Sequence, residues 1–252
     1  MNLHHRVDGP STAPPLMLCN SLGATLEMWD RQVSGLTAQF RLVRYDRRGH
    51  GCSPVPPGPY SIEDLGRDAL ALLDDLGLER VSFCGLSIGG MTGMWLASEA
   101  PDRIDRLVLC STAPQLPPRE QWLERAATVR AEGVSAVADA TLARWFTPLA
   151  PASLVETFRA MLTGTPAEGY AACCEALAEL DLRDRLAAIE APTLVVTGDG
   201  DPTAPPEVGA QLAAAISGAS HVTITAARHL TNAEQPATFT QHVLAHLTEE
   251  NR

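Results

Sequence analysis

The chain has 252 residues, 45% of them hydrophobic, and a formal net charge of −11. That length and apolar share suffice for one large core, and the acidic balance makes phosphate backbones and anionic membranes poor partners, so neither nucleic acid nor a membrane is expected. All 19 basic residues are arginine, which excludes Schiff-base chemistry on lysine and any phosphate loop that needs one.

Short apolar runs rich in β-branched residues alternate with stretches of helical period. This is the pattern of an α/β fold, a mostly parallel sheet with helices on both faces. In chain order, residues 4–7 read as an antiparallel edge strand, and 16–19 and 42–46 as the first inner strands. The proline-rich stretch 53–59 reads as a rigid loop. A helix follows over 60–76, with Ser61 able to cap it, Asp64 adding negative charge to its first turn, and Gly77 ending it. Next come a strand at 81–84, a helix at 87–100 stopped by Pro101, and a strand at 107–110. From about 113 to 190 the alternation breaks off, while Trp122, Val129, Leu142, Trp145, Phe146, Phe158 and Leu162 recur at roughly helical spacing. This interval reads as a helical lid over the carboxyl edge of the sheet, where open α/β folds bind ligands. Strands at 194–197 and 222–225 and helices at 206–216 and 236–247 complete the chain. The expected division is therefore a core of 1–112 with 191–252 and a lid of 113–190.

The amino terminus carries no apolar run of signal-peptide length, and no uninterrupted stretch could span a bilayer, so a cytoplasmic protein is expected. Six cysteines without CxxC spacing are expected to be reduced core residues.

The sharpest local signal is VSFCGLSIGG, where Gly85, Ser87 and Gly89 form GxSxG between a strand and a helix. That is a nucleophile elbow, a turn so tight that side chains two residues either side of the serine have no room. The plainer alternative is a glycine-rich turn whose serine only caps the helix. A serine hydroxyl at its ordinary pKa needs a histidine to take its proton and an acid to orient that histidine. The loop after strand 194–197 holds GDGDP, and the loop after strand 222–225 holds AARHLTN. His229 is the candidate base. The acid is Asp201 or Asp199, with Asp201 preferred because it lies further into the loop and Asp199 suited to holding the turn. Acyl transfer also needs two backbone donors for the oxyanion. One is the amide of Ile88; the other is the amide of Leu22 in NSLGATLEMW, where Gly23 permits a tight fold.

The remaining histidines have structural readings. His4 and His5 belong to the edge strand, His221 starts a strand, and His50 sits in a tight loop. His242 and His246 lie four apart but lack the glutamate of HExxH, so no metal site is expected. Asp46 and Arg48 are expected to form an internal pair.

With these motifs in place, the chain resembles the α/β-hydrolase superfamily along nearly its whole length. Within it, the chain is similar to the 3-oxoadipate enol-lactonases of aromatic catabolism. The strings that carry the likeness are NSLGATLEMW at 20–29, YDRRGHGCS at 45–53, GPYSIEDLGRD at 58–68, FCGLSIGGMTGMWLA at 83–97 and RWFTP at 144–148. The resemblance implies a triad of Ser87, Asp201 and His229, oxyanion amides at Leu22 and Ile88, no cofactor, and a small lactone or ester as substrate. It further implies that Arg144 and Trp145 line the substrate pocket from the lid. Arg144 is then the candidate for a substrate carboxylate, the alternative being an arginine that faces solvent or pairs with a nearby glutamate. One departure is Arg228 before the histidine, where a small residue is expected. Some members carry a fused decarboxylase domain, which this chain is expected to lack. Two alternatives stay open: another small-ester, carbon–carbon bond or perhydrolase activity on the same triad, and a noncatalytic ligand receptor.

Overall fold

The computed structural model describes residues 1–116 and 118–249. Seven strands, β1 (His5–Asp8), β2 (Pro15–Cys19), β3 (Arg41–Tyr45), β4 (Val81–Leu86), β5 (Ile104–Cys110), β6 (Thr193–Gly198) and β7 (Ser220–Ile224), form one sheet in the order β1-β3-β2-β4-β5-β6-β7. Only β1 is antiparallel to its neighbour, as the reading of residues 4–7 anticipated; it starts one residue later, at His5. The other pairings are parallel. Every residue of β4 is buried, which follows from its place between β2 and β5 under helices on both faces. The registers Cys19 to Gly85 and Leu86 to Cys110 bring the carboxyl ends of the three central strands together. The expected α/β architecture is what the chain adopts.

The helices of the sheet layers are α1 (Asp30–Leu36), α2 (Ile62–Asp75), α3 (Ile88–Glu99) and, after the helical interval described below, α8 (Pro206–Ala215), α9 (Thr231–Glu234) and α10 (Pro236–Leu247). The start of α2 is fixed by a capping box, with the Ser61 hydroxyl accepting from the Asp64 amide at 3.1 Å and the Asp64 carboxylate accepting from the Ser61 amide at 2.9 Å. Such a cap contributes about 1 kcal/mol and sets the helix to begin after Ser61 rather than at Tyr60. From Ile88 through Ala97, α3 is buried on all sides. Neither α1 nor α9 was anticipated: α1 buries only Gln32 and Leu36 and shows no apolar stripe, and α9 is a single turn. No helix among the described residues is long and apolar enough to cross a membrane.

Between β5 and β6 the described residues form helices only: α4 (Arg119–Glu132), α5 (Ala138–Trp145), α6 (Ala152–Thr163) and α7 (Ala167–Ala178), with short 3₁₀ turns between them. An aromatic cluster joins two of these helices. The Phe158 ring on α6 meets Trp145 and Phe146 edge-on, with centroids 6.2 and 5.3 Å apart.

Two expectations are corrected. Asp46 and Arg48 do not pair. The Asp46 carboxylate accepts the amides of Leu26 (2.8 Å) and Cys52 (3.0 Å) and meets His4 Nδ1 at 2.8 Å. Arg48 instead reaches α2, where Asp68 takes it in two bonds of 2.6 and 2.9 Å and Asp64 lies at 3.3 Å. The guanidinium is long enough to find two helix carboxylates, whereas the short Asp46 side chain is taken up by the Leu26 and Cys52 amides and by His4. All six cysteines are free, but Cys52 is exposed rather than in the core.

Replacing Phe158 by alanine removes the edge-on partner of both Trp145 and Phe146. The variant is expected to lose about 3–5 kcal/mol of stability, read as a lower urea midpoint with an unchanged m-value.

Candidate active site

Ser87 stands alone between the last residue of β4 and the first of α3, with φ 59° and ψ −120°. A side chain in that region costs of order 1–3 kcal/mol and persists only where the surroundings hold it. Here the Ser87 amide donates to the Cys110 carbonyl at 2.8 Å, and its carbonyl accepts from the Thr112 hydroxyl at 2.8 Å. A Cβ at Gly85 would collide with the Gly89 carbonyl, and one at Gly89 with the Cys19 carbonyl. The two glycines are steric requirements of the turn, as the motif implied.

The loops after β6 and β7 bring Asp201 and His229 together, 3% and 4% exposed. His229 Nδ1 lies 2.9 Å from Asp201 Oδ2, and Asp201 Oδ1 accepts the Thr203 amide at 2.8 Å. Burial alone would raise the Asp201 pKa; the charge and hydrogen bond of His229, with the Thr203 and Ala204 amides, outweigh it and hold the carboxyl below its ordinary value. With that carboxylate beside Nδ1, the tautomer of a neutral imidazole that suits it carries its proton on Nδ1 and leaves Nε2 as an acceptor. Asp199 accepts the amides of Ala226 and Ala227 at 3.1 and 3.3 Å, tying the two loops together.

Ser87 and His229 line one cavity of about 390 Å³, together with Leu22, Arg125, Arg144, Trp145, Tyr170 and others. The hydroxyl and the imidazole make no direct hydrogen bond, a common state before substrate tightens the contact. Ile88 opens α3, so its amide has no acceptor within the helix. The amide of Leu22 has none among the described residues. Sequence reasoning thus named seven positions, Leu22, Ser87, Ile88, Arg144, Trp145, Asp201 and His229. The structure brings six of them to the cavity or to its buried base, while Ile88 follows Ser87 directly.

Arg144 is half-buried and has no carboxylate partner among the described residues. Burial, and after it the like charge of Arg125, push its pKa below the ordinary value. Arg125 was missed. It donates to the Tyr170 hydroxyl at 3.0 and 2.6 Å and to the Thr141 hydroxyl, all neutral acceptors. The signal was present: Arg125 shares with Trp122, Ala126 and Val129 the spacing of one helix face, and a cation on an apolar face has a reason to be there. Arg228, the unexpected residue, does not line the cavity. Its guanidinium donates to the carbonyls of Ala143 and Phe146 at the end of α5. The amides of His229 and Leu230 donate to the Arg144 and Trp145 carbonyls, and Glu234 accepts from Thr147 and from the Arg228 amide. The histidine loop is laced to the helix that carries Arg144 and Trp145.

His246 Nε2 lies 3.1 Å from the Pro192 carbonyl. Among the described residues one group, His4, Asp46 and Cys52, has ligand atoms within 4.8 Å of one another, but both Asp46 oxygens already accept amides.

Residues 14–236 match the family model described as alpha/beta hydrolase fold. The chain is 39% identical over 246 residues to 3-oxoadipate enol-lactonase 2 of Acinetobacter baylyi, covering 96% of this chain and 92% of that one. It superposes on the enol-lactonase from Burkholderia xenovorans LB400 with a TM-score of 0.96 and 45% identity, over 98% and 96% of the two chains. A thermophilic esterase from Thermogutta terrifontis, solved with malate bound, superposes with a TM-score of 0.93 and 32% identity over 97% and 92%. The strained serine after β4, the buried aspartate and histidine after β6 and β7, and these likenesses have one source: the chain belongs to the α/β-hydrolase-fold family.

Proposed function

We propose that the protein is a serine hydrolase that opens 3-oxoadipate enol-lactone to 3-oxoadipate through an acyl-enzyme on Ser87. The observation that carries this reading is the buried Asp201–His229 pair sharing one cavity with Ser87. The enol-lactonases among its relatives support the choice of substrate. So does the cavity wall, where two arginines face no carboxylate in a chain of net charge −11.

In this reading His229 Nε2 takes the Ser87 proton as the hydroxyl oxygen attacks the lactone carbonyl, while Asp201 holds the imidazole in the required tautomer. The Leu22 and Ile88 amides receive the oxyanion, each worth on the order of 100-fold in rate. The ring carbon–oxygen bond then breaks. The enol oxygen leaves with the proton from His229, and the enol becomes a ketone. Water, deprotonated by His229, next attacks the acyl-serine and releases the newly formed carboxylate, restoring the Ser87 hydroxyl. Arg144, reinforced by Arg125, receives the carboxylate that the lactone already carries, and Trp145 closes over the ring. The helical segment 113–190 serves as the lid that keeps bulk water out.

Three outcomes are expected. Ser87→Ala should lower the ultraviolet loss of the enol-lactone chromophore on the order of 10⁴- to 10⁶-fold and abolish fluorophosphonate labelling; a labelled, active variant would end the proposal. Asp201→Asn should cut kcat on the order of 10³- to 10⁴-fold, since the imidazole would sit in the wrong tautomer, whereas Asp199→Asn, which alters only amide contacts, should stay within about tenfold of the parent. Arg144→Ala should reduce kcat/KM for the lactone about 10- to 100-fold, the worth of a charge-assisted hydrogen bond, and spare a neutral aryl ester. Equal losses on both substrates would remove Arg144 from carboxylate recognition.

A further inference from the structure

Residues 20–24 lead from the end of β2 past the serine turn, and their N–H groups have unequal fates. The Ser21 amide donates to Met28 Sδ at 3.2 Å, the Gly23 amide to His50 Nε2 at 2.9 Å, and the Ala24 amide to the Ser21 carbonyl at 3.2 Å. The Leu22 amide lacks an acceptor among the described residues, and Leu22 lines the cavity beside Ser87. In a trans peptide the carbonyl of one residue and the N–H of the next point in opposite directions. Holding the Ser21 carbonyl toward Ala24 therefore turns the Leu22 N–H the other way.

The peptide that follows, Leu22 to Gly23, is held from outside the segment by one side chain, His50. That ring is fully buried, and its backbone is locked into its own loop by bonds from the His50 amide to the Arg47 carbonyl (3.1 Å) and from the Ser53 amide to the His50 carbonyl (3.0 Å). Because an N–H donates to Nε2, the ring proton must sit on Nδ1, which lies 3.3 Å from the Arg48 carbonyl. Burial, and after it the Arg47 guanidinium, push the His50 pKa down to about 3, which leaves the ring neutral and able to accept. Gly23 sits at φ +76°, and a Cβ there would collide with Leu162. The segment therefore has no side chain of its own at that position to anchor it.

We infer that His50 is a positioning residue for the hydrolysis: its bare Nε2 anchors the Leu22–Gly23 peptide, and so holds in place the neighbouring Ser21–Leu22 peptide, whose N–H the Ser21–Ala24 bond turns toward the carbonyl that Ser87 attacks. The inference rests on the serine-hydrolase reading given above. It assigns His50 a task in orienting the oxyanion donor, beyond holding its own loop.

The test compares His50→Leu, which removes the acceptor, with His50→Gln, whose side-chain oxygen reaches the same place. p-Nitrophenyl acetate is the substrate, phenylboronic acid the mimic of the tetrahedral state, and thermal midpoints are taken on the same preparations. His50→Leu should lose kcat on the order of 10- to 100-fold with KM little changed and boronate affinity weakened in step, while His50→Gln recovers most of both. A leucine variant with parental kcat and boronate affinity would overturn the inference. So would a glutamine variant that loses as much as leucine while melting at the parental temperature. A parent protein that does not turn over the ester or acylate Ser87 would instead fell the serine-hydrolase reading, and His50's role with it.

Discussion

The close approach of the elbow helix to the end of β2 is the constraint on which the site depends. Gly89 lies against the carbonyl oxygens of Cys19 and Asn20, and Gly85 against Gly89 itself. Packing at that distance forces Ser87 into a disfavoured backbone region, and the bonds to Cys110 and Thr112 at the end of β5 keep it there. The same approach sets residues 20–24 beside the serine, so nucleophile and candidate oxyanion donor are brought together by one backbone contact. The strain is tolerable because β4 and most of α3 are buried on every side: a well-packed interior offers no cheap relaxation.

Charge is arranged against the net balance of the molecule. An acidic chain places Arg125 and Arg144 in the cavity wall with neutral neighbours, and it withdraws Asp201 behind His229, where its charge is answered by the imidazole and two amides. An anion entering this space meets positive potential from the wall and no bare carboxylate. Low-dielectric surroundings make that field stronger than the same arginines would produce on the surface.

Much of this was legible before any coordinates. Ser61 before an amphipathic run, Pro236 at the start of the last helix and GxSxG between strand and helix each have one local physical meaning, and each fell where expected, within a residue or two. The unread parts depend on partners distant in the chain. Gln32 is buried in α1 because it bonds the Asn232 carbonyl two hundred residues away, so α1 has no periodic signature. Arg48 was paired with Asp46 by proximity in sequence, but α2 offered it two carboxylates. Arg125 was not singled out. Its role depends on Tyr170 and Thr141, which only the packing of α4 on α7 and α5 brings near.

The lacing between the histidine loop and α5 has a mechanical consequence. Arg228, Glu234 and the His229 and Leu230 amides fasten that helix to the loop bearing the imidazole. Raising the α5 end of these helices would pull on the loop that bears His229. At the opposite rim Leu116, Gln121 and Trp122 border the same hollow, and among the described residues no comparable bond joins them to that loop.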